Sequence, residues 1–248
     1  MSFRSILSAA APRSARVKSR RDFLTWLGVG SAALAVGCAT GDEPKDEYNG
    51  RSYGDDEDPI DVAEQGATGT CRVTSRDARG PYFEAGSPFR PLQIADANEE
   101  GVRLFLGGRI LGPDCTTPLQ DYVVDLWQAD AGGNYHRAGL TGYRLRGKIR
   151  ADRQGRFRLE TILPGRYGDA AGIRPAHLHV SFLTPGGNVL LTSQLYFEGD
   201  PYLGPADYCT AAGACNSSDP DRVLRLTDTV VNRVPGKSAW FEAKLPRT

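Results

Sequence analysis

One stretch decides the fold of this chain: Ile173-Arg174-Pro175-Ala176-His177-Leu178-His179-Val180-Ser181-Phe182. It holds two of the three histidines in the protein, His177 and His179. Residues two apart in a β-strand lie on the same face, so these two side chains can bind one metal ion. The residues that alternate with them on the other face are apolar. The stretch therefore predicts a strand with one core face and one metal-binding face.

Segments of similar character recur on both sides of this strand, separated by turns rich in Gly, Pro and Asp. No segment beyond residue 68 has an apolar period of 3.6 over several turns. Strands are predicted at residues 102–111, 123–127, 156–161, 176–182, 189–196, 223–226 and 239–245. The sequence thus predicts one all-β domain over residues 69–248, a β-sandwich of two sheets.

The first 40 residues predict an export signal. The pattern Ser19-Arg20-Arg21-Asp22-Phe23-Leu24 is typical of twin-arginine export, and the run that follows it to Ala39 is uncharged. That run is too short and too rich in glycine to favour a membrane-spanning helix. Its last residues, Leu34-Ala35-Val36-Gly37-Cys38, are similar to a lipoprotein cleavage site, with ordinary cleavage near Ala39 or an uncleaved anchor as alternatives. We expect an exported, periplasmic or otherwise extracytoplasmic protein, anchored to the membrane if Cys38 is lipidated.

Residues 41–68 predict an acidic linker. Between Asp42 and Glu64 the chain has ten acidic residues and two basic ones, with few large apolar side chains. Such a segment buries too little surface to offset its ordering entropy, and we expect it to be disordered. Beyond residue 38 the chain has a net charge of −5 and no basic tract interleaved with aromatic residues. Nucleic acid is therefore not an expected partner.

The cysteines agree with export. Apart from Cys38 there are four, an even number that suits an oxidising compartment. Cys209 and Cys215 bracket a short loop, which favours a bond between them and leaves Cys71 with Cys115, although four cysteines permit three connectivities. No Cys-x-x-Cys spacing exists to indicate a cysteine metal site.

The pattern of histidines does not identify the remaining ligands of the metal site. His136 is the remaining histidine, and with His177 and His179 it would make a three-histidine zinc site. Two tyrosines, Tyr135 and Tyr167, each follow a glycine-containing turn. A tyrosine in a turn is by default a packing residue, so neither tyrosine alone indicates a ligand.

A series of motifs together resembles the intradiol ring-cleavage dioxygenases, the family of protocatechuate 3,4-dioxygenase and catechol 1,2-dioxygenase. The resemblance runs from about Gly80 to Pro201, with the motifs in the family's order and spacing. They are Gly80-Pro81-Tyr82-Phe83, Trp127-Gln128-Ala129-Asp130-Ala131-Gly132-Gly133-Asn134-Tyr135, Leu145-Arg146-Gly147, Asp152-Arg153-Gln154-Gly155-Arg156-Phe157, Thr161-Ile162-Leu163-Pro164-Gly165-Arg166-Tyr167, Arg174-Pro175-Ala176-His177-Leu178-His179 and Gln194-Leu195-Tyr196-Phe197-Glu198-Gly199-Asp200.

The resemblance implies a non-haem Fe(III) ion and assigns roles around it. The metal ligands carried over by motif are Tyr135, Tyr167, His177 and His179. The resemblance also implies two catalytic roles. Tyr167 would accept a proton from the substrate, and Arg174 would be a cation beside the bound ring. Tyr82 and Gln194 are expected to line the substrate pocket. His136 follows Tyr135 directly and is expected to face away from the metal.

The activity implied by this resemblance is cleavage of a catechol-type ring by O2, between the two hydroxyl-bearing carbons, to a muconate-type diacid. Two other interpretations stay open. One is an exported sandwich module that binds a ligand without catalysis. The other is the three-histidine zinc enzyme, for which Tyr135 would be dispensable and His136 essential. The sequence leaves the oligomeric state and the substituents of the ring open.

Overall fold

Two main β-sheets form the described part of the chain in the computed structural model, which covers residues 71–170 and 172–247. The predicted all-β sandwich is confirmed. The predicted export signal at residues 1–40 and the acidic linker at residues 41–68 lie outside the described residues. Within the described part, no helix has the length and apolar character needed to cross a membrane.

The described part has eleven strands and several short helical turns. The strands are β1 (Arg103–Leu111), β2 (Val123–Gln128), β3 (Arg146–Arg150), β4 (Arg156–Ile162), β5 (Tyr167–Asp169), β6 (Gly172–Arg174), β7 (His177–Leu183), β8 (Val189–Phe197), β9 (Val223–Leu224), β10 (Thr227–Val231) and β11 (Val234–Lys244). The helices are Ala138–Thr141 and Tyr208–Ala211, and the 3₁₀ turns are Gly204–Ala206 and Pro220–Arg222.

The strand order places β1 and β7 in different sheets. The first sheet has the order β10-β11-β1-β4, and the second has the order β3-β2-β7-β8-β9. Strands β5 and β6 form a separate two-stranded ribbon. In the first sheet β11 lies parallel to β1, with register from Arg103↔Gly236 to Leu111↔Lys244. The predicted metal-binding strand, β7, therefore lies in the middle of the second sheet.

Alternation along β7 places its histidines outside the core. Leu178, Val180 and Phe182 join the buried cluster between the two sheets. His177 and His179 take the opposite face because side chains alternate along a strand, and both are buried there as well. The outer face of the second sheet must therefore be covered by loops, and these loops carry the rest of the site.

The predicted strand segments are present, with differences at their ends. Strand β11 begins at Val234 rather than residue 239, because Pro235 pairs with Val230 on one side while β1 begins its pairing only at Gly236. A proline is tolerated where no partner needs its missing N–H. The segment predicted at 223–226 forms a strand only at Val223–Leu224, which is β9, and β10 begins beyond it at Thr227. Strand β3 was not predicted, since three of its five residues are basic.

Both disulfide pairings favoured by the sequence are confirmed. Cys71 bonds to Cys115 across a separation of 44 residues, and Cys209 bonds to Cys215 across a separation of 6. The first crosslink joins the start of the described chain to the turn after β1. The second closes a small loop after β8.

Candidate metal centre

Strand register sets the two histidines and their neighbours. His179 lies opposite Trp127 of β2 and Gln194 of β8, while His177 lies opposite Tyr196. The Trp127 indole stacks on the His179 ring, with centroids 5.0 Å apart and planes 3° apart. His177 Nδ1 lies 2.7 Å from the carbonyl oxygen of Pro175. Because a carbonyl can only accept, Nδ1 carries the proton and Nε2 keeps its lone pair for a metal ion.

Two glycine turns bring the tyrosines to these histidines. Gly133 has φ +84°, and a Cβ there would lie 3.0 Å from the carbonyl carbon of Arg166. Across the same contact, a Cβ on Gly165 would lie 2.5 Å from the Gly133 nitrogen. Only glycine allows the two backbones to approach so closely. Since each glycine comes two residues before a tyrosine, this contact places Tyr135 beside Tyr167.

The four predicted ligand rings form one cluster. The Tyr135 and Tyr167 ring centroids are 5.5 Å apart, and those of His177 and His179 are 4.8 Å apart. Across the cluster, Tyr135 lies 6.1 Å from His179, and Tyr167 lies 5.4 Å from His177, again between centroids. The structure thus brings together all four residues that the motifs predicted.

The polar atoms in this cluster fit a metal ion. Tyr135 Oη, His177 Nε2 and His179 Nε2 are buried and lack a hydrogen-bond partner within the described residues. Unpaired buried polar atoms are costly, so three of them at one place indicate a ligand. Two phenols and two imidazoles are donors that suit a ferric ion, with phenolate as the hard anionic ligand.

Burial sets the protonation of the metal-free site. It lowers the pKa of His177 to about 4, with the Arg174 charge acting in the same direction. Burial and the charge of His177 lower the pKa of His179 well below its usual value. Burial also raises the pKa of both tyrosines, and at Tyr167 the Arg174 guanidinium opposes that rise. The histidines are therefore ready as neutral ligands, whereas each phenol must lose a proton when a metal binds.

Arg174 is buried next to the ligand rings. Its Nη2 donates to Gln194 Oε1 at 2.9 Å, and its Nε donates to Asp207 Oδ1 at 3.0 Å. The Gln194 amide also donates to the Ala78 carbonyl at 2.6 Å. Arg174 also pairs with Tyr167 across the β5–β6 ribbon, and its role as a cation beside the bound ring stays a prediction. The substrate role of Gln194 stays a prediction, because its amide contacts in the structure are to Arg174 and its surroundings.

Tyr82 forms a wall of the site. Its ring stacks on Tyr135, with centroids 4.1 Å apart and planes 9° apart, and meets Tyr167 edge to face at 5.9 Å. The buried Arg146 fixes this stack from behind by donating to the carbonyl oxygens of Tyr82 at 2.6 Å and His136 at 3.0 Å. The family resemblance includes the motif that contains Arg146, but it does not reveal that this side chain holds two loops together.

His136 lies outside the ligand cluster. Its Nε2 is 2.9 Å from Asp130 Oδ2, and its Nδ1 is 3.3 Å from Arg144 Nη1. In the described part of the chain, no three His, Cys, Asp or Glu side chains come together as a metal site. This geometry does not favour the three-histidine zinc interpretation.

The buried histidines predict a pH-dependent stability for the iron-free protein. A histidine in the unfolded chain takes up a proton near pH 6.5, whereas folded His177 does so only near pH 4. Below pH 6.5 the unfolded state therefore binds more protons than the folded state, and the free energy of unfolding decreases as the pH is lowered. We expect a loss of about 2 kcal/mol from His177 between pH 6.5 and 5, measured by urea unfolding. The variant His177→Gln should show a flatter slope, and an unchanged slope would contradict this prediction.

The sequence comparison decides the family. A profile for a family described as dioxygenase matches residues 78–238, more than half of the chain. The chain belongs to the intradiol ring-cleavage dioxygenase family. Its similarity to the catechol 1,2-dioxygenase of Acinetobacter baylyi is 32% identity over 213 residues, which cover 75% of this chain and 66% of that enzyme. The chlorocatechol 1,2-dioxygenase of Rhodococcus opacus is 32% identical over 56% of this chain and 61% of that enzyme. The chain thus spans about two thirds or less of these curated members of the family.

Solved structures of the family agree with the fold. The 3-chlorocatechol 1,2-dioxygenase of Rhodococcus opacus 1CP has a TM-score of 0.61 and 30% identity, covering 75% of this chain and 76% of that one. The dioxygenase domain of a carbohydrate-binding fusion protein from Streptomyces sp. SirexAA-E has a TM-score of 0.57 and 33% identity. The match covers 71% of this chain and 99% of that domain. The fold over the site region is therefore that of the family.

Proposed function

We propose that this protein is a non-haem Fe(III)-dependent dioxygenase that cleaves a catechol-type ring between its two hydroxyl-bearing carbons. The substrates are the catechol and O2, and the product is a muconate-type diacid. One observation carries the proposal: two tyrosines meet two buried histidines in one cluster, and three polar atoms of these residues lack a hydrogen-bond partner within the described part of the chain. The relatives named for catechol and chlorocatechol 1,2-dioxygenase activity support the substrate class.

The residues that would hold the iron are Tyr135, Tyr167, His177 and His179. Bound Fe(III) supplies Lewis acidity toward the catechol oxygens and makes the electron-rich ring reactive toward O2. The neutral histidines add no charge, so among these four residues only the two phenolates would offset part of the charge of the ion. This donor set favours the ferric state.

The surrounding residues handle protons, charge and packing. A catechol that binds through both oxygens would have to lose two protons; the Tyr167 phenolate could accept one of them, and a hydroxide or water the other. Tyr167 suits this role because it is less buried than His177 and His179 and lies next to Arg174. The Arg174 guanidinium stabilises negative charge on the bound ring. Tyr82 offers an aromatic surface beside both tyrosines, against which a flat ring can pack.

An extracytoplasmic location is part of the same proposal. The twin-arginine pattern at residues 19–24 supports export of the folded chain, and Cys38 is proposed as the lipid-bearing residue. The two disulfides support an oxidising compartment, since such bonds are rare in the cytosol. Environmental aromatic compounds would then be the accessible substrates.

The test is the visible spectrum and iron content of the purified protein, before and after catechol is added under nitrogen and then air. We expect a tyrosinate-to-Fe(III) band that shifts when catechol binds and recovers with oxygen as a muconate forms. A protein that stays colourless after ferric reconstitution would favour the binding module without catalysis. Retention of zinc that depends on His136 would favour the zinc enzyme.

A further inference from the structure

A disulfide-closed loop packs against the candidate site from the side of Arg174. This loop, residues 207–217, is called the disulfide loop below because Cys209 bonds to Cys215 within it. Its first residue, Asp207, is completely buried. Its second residue, Tyr208, packs on the ribbon that carries Tyr167, because a Cβ on Gly172 would lie 2.6 Å from the Tyr208 Cβ. The loop therefore contacts both ends of strand β6, at Gly172 and at Arg174.

The Asp207 carboxylate connects the loop to Arg174. Its Oδ1 accepts from Arg174 Nε at 3.0 Å, and its Oδ2 accepts from Arg174 Nη2 at 3.3 Å. The same two oxygens accept from the Cys209 backbone N–H at 3.1 Å and the Thr210 hydroxyl at 3.0 Å. A two-point contact of this kind fixes the plane of a guanidinium as well as its distance. Asp207 is thus held by the loop and in turn holds Arg174.

The disulfide fixes the part of the loop on which Asp207 depends. Asp207 caps the helix Tyr208–Ala211, and Cys209 lies in the first turn of that helix. The backbone N–H groups of Ala214 and Cys215 donate back to the Cys209 carbonyl. The hydroxyl of Thr210 also accepts from the Ser217 N–H at 2.9 Å. The crosslink therefore closes the turn that presents the Cys209 N–H and the Thr210 hydroxyl to the carboxylate.

We propose that Asp207 is a positioning residue for ring cleavage, and that the Cys209–Cys215 bond maintains its position. In this arrangement the loop fixes the Arg174 guanidinium beside the tyrosine ligands, so turnover depends on an intact disulfide loop. The inference rests on the proposed function, in which Arg174 stabilises charge on the bound ring. Without Asp207, Arg174 would lose its bond from Nε and one of its bonds from Nη2, and would keep the Nη2 bonds to Gln194 and Tyr196.

The first test compares Asp207→Asn with Asp219→Asn. Asp219 is a matched control because it also caps a short helical turn and pairs with an arginine, but that arginine is Arg222. We expect Asp207→Asn to lower kcat about 10–100-fold, as for other residues that orient catalytic groups, with iron content retained. Asp219→Asn should lower the unfolding temperature without this loss of kcat. Equal effects of the two variants on kcat would overturn the proposal.

A double-mutant cycle tests whether Asp207 acts through Arg174. Arg174→Lys removes the planar fork, so adding Asp207→Asn to it should cause little further loss. Losses that multiply in the double variant would show that Asp207 acts by another route and would overturn the proposal. Anaerobic titration with catechol should separate binding from turnover, since we expect a smaller change in the catechol Kd than in kcat.

The two disulfides give a second matched comparison. Removing the longer crosslink with Cys71→Ala/Cys115→Ala should lower the unfolding temperature more, because the closed segment is longer. Removing the shorter one with Cys209→Ala/Cys215→Ala should lower kcat more, at a temperature where both variants are folded. If the loss of kcat follows the loss of stability, the disulfide loop has only a structural role.

Hydrogen exchange gives a measurement that does not need turnover. In the iron-free protein, amides of residues 167–174 should exchange faster in Asp207→Asn than in the wild type or Asp219→Asn, because the ribbon loses its anchor. Unchanged exchange there would overturn the proposal. A wild-type protein that fails to cleave catechol would instead contradict the proposed function, and the exchange result would still report on the anchor.

Discussion

Replacing Tyr135 by phenylalanine is expected to remove the visible band and lower turnover more than about 100-fold, without destabilising the iron-free protein. The Tyr135 hydroxyl is buried with no hydrogen-bond partner among the described residues, so its loss breaks no bond in the metal-free state. Its ring keeps the stack on Tyr82. The expected loss exceeds the 10–100-fold cost of changing a residue that only supports a ligand. Iron content, the absorption spectrum and the melting temperature of the iron-free protein check this result.

The adjacent residue provides the control for this substitution. His136→Ala breaks the contact with Asp130 and should cost about 1 kcal/mol of stability, while the band and the turnover remain. Tyr135→Phe should therefore lower activity and leave stability unchanged, whereas His136→Ala should lower stability and leave activity unchanged. A three-histidine zinc site would reverse the outcome, with metal lost in His136→Ala and retained in Tyr135→Phe.

Arg222→Ala is expected to destabilise the fold by about 3–5 kcal/mol, the largest stability effect among the charged residues considered. The Arg222 guanidinium is fully buried, pairs with Asp77, and donates to Asp219 at 3.3 Å and to the Gln194 carbonyl at 3.3 Å. Alanine would leave two carboxylates without their buried partner. Urea unfolding of the variant measures the loss.

Arg72 is the matched control for Arg222. It contacts Asp219 as well, at 3.0 Å, but its side chain is 56% exposed. Exposed pairs contribute little because solvent screens them, so Arg72→Ala should cost much less stability than Arg222→Ala. Similar losses for the two arginines would contradict the idea that burial, rather than the shared partner, sets the cost.

The sequence predicted most of the fold, and it singled out the four residues that the structure brings together at the candidate site. Alternation in residues 176–182 predicts β7 correctly because one face enters the core while the other bears the histidines. Two glycines, each two residues before a tyrosine, predict loops, and the family resemblance then identifies Tyr135 and Tyr167 as ligands. The small loop between Cys209 and Cys215 was enough to favour the correct pairing.

The residues that the sequence did not reveal are buried charges with distant partners. Aspartate and arginine are usually surface residues, so the sequence gives no reason to place Asp207 or Arg222 in the interior. Asp207 pairs with Arg174, 33 residues away, and Arg222 pairs with Asp77, 145 residues away. Pattern-based prediction detects periodicity over neighbouring residues and has no signal for such pairs. Strand β3 was missed for a related reason. Its basic sequence forms a strand because it pairs with β2 and because Lys148 bonds to the backbone of Pro88 and Arg90.

The parallel pairing of β1 with β11 has a consequence for biosynthesis. β1 lies between β11 and β4 in the first sheet. Its hydrogen bonds to β11 can form only after β11 has been synthesised, more than a hundred residues later. Contacts of such long sequence separation form slowly, and the first sheet cannot close on a nascent chain. Until β11 emerges from the ribosome, the edge of β1 that will pair with it is open to mispairing. Assembly of the sandwich is thus a late event, completed only after β11 has been translated.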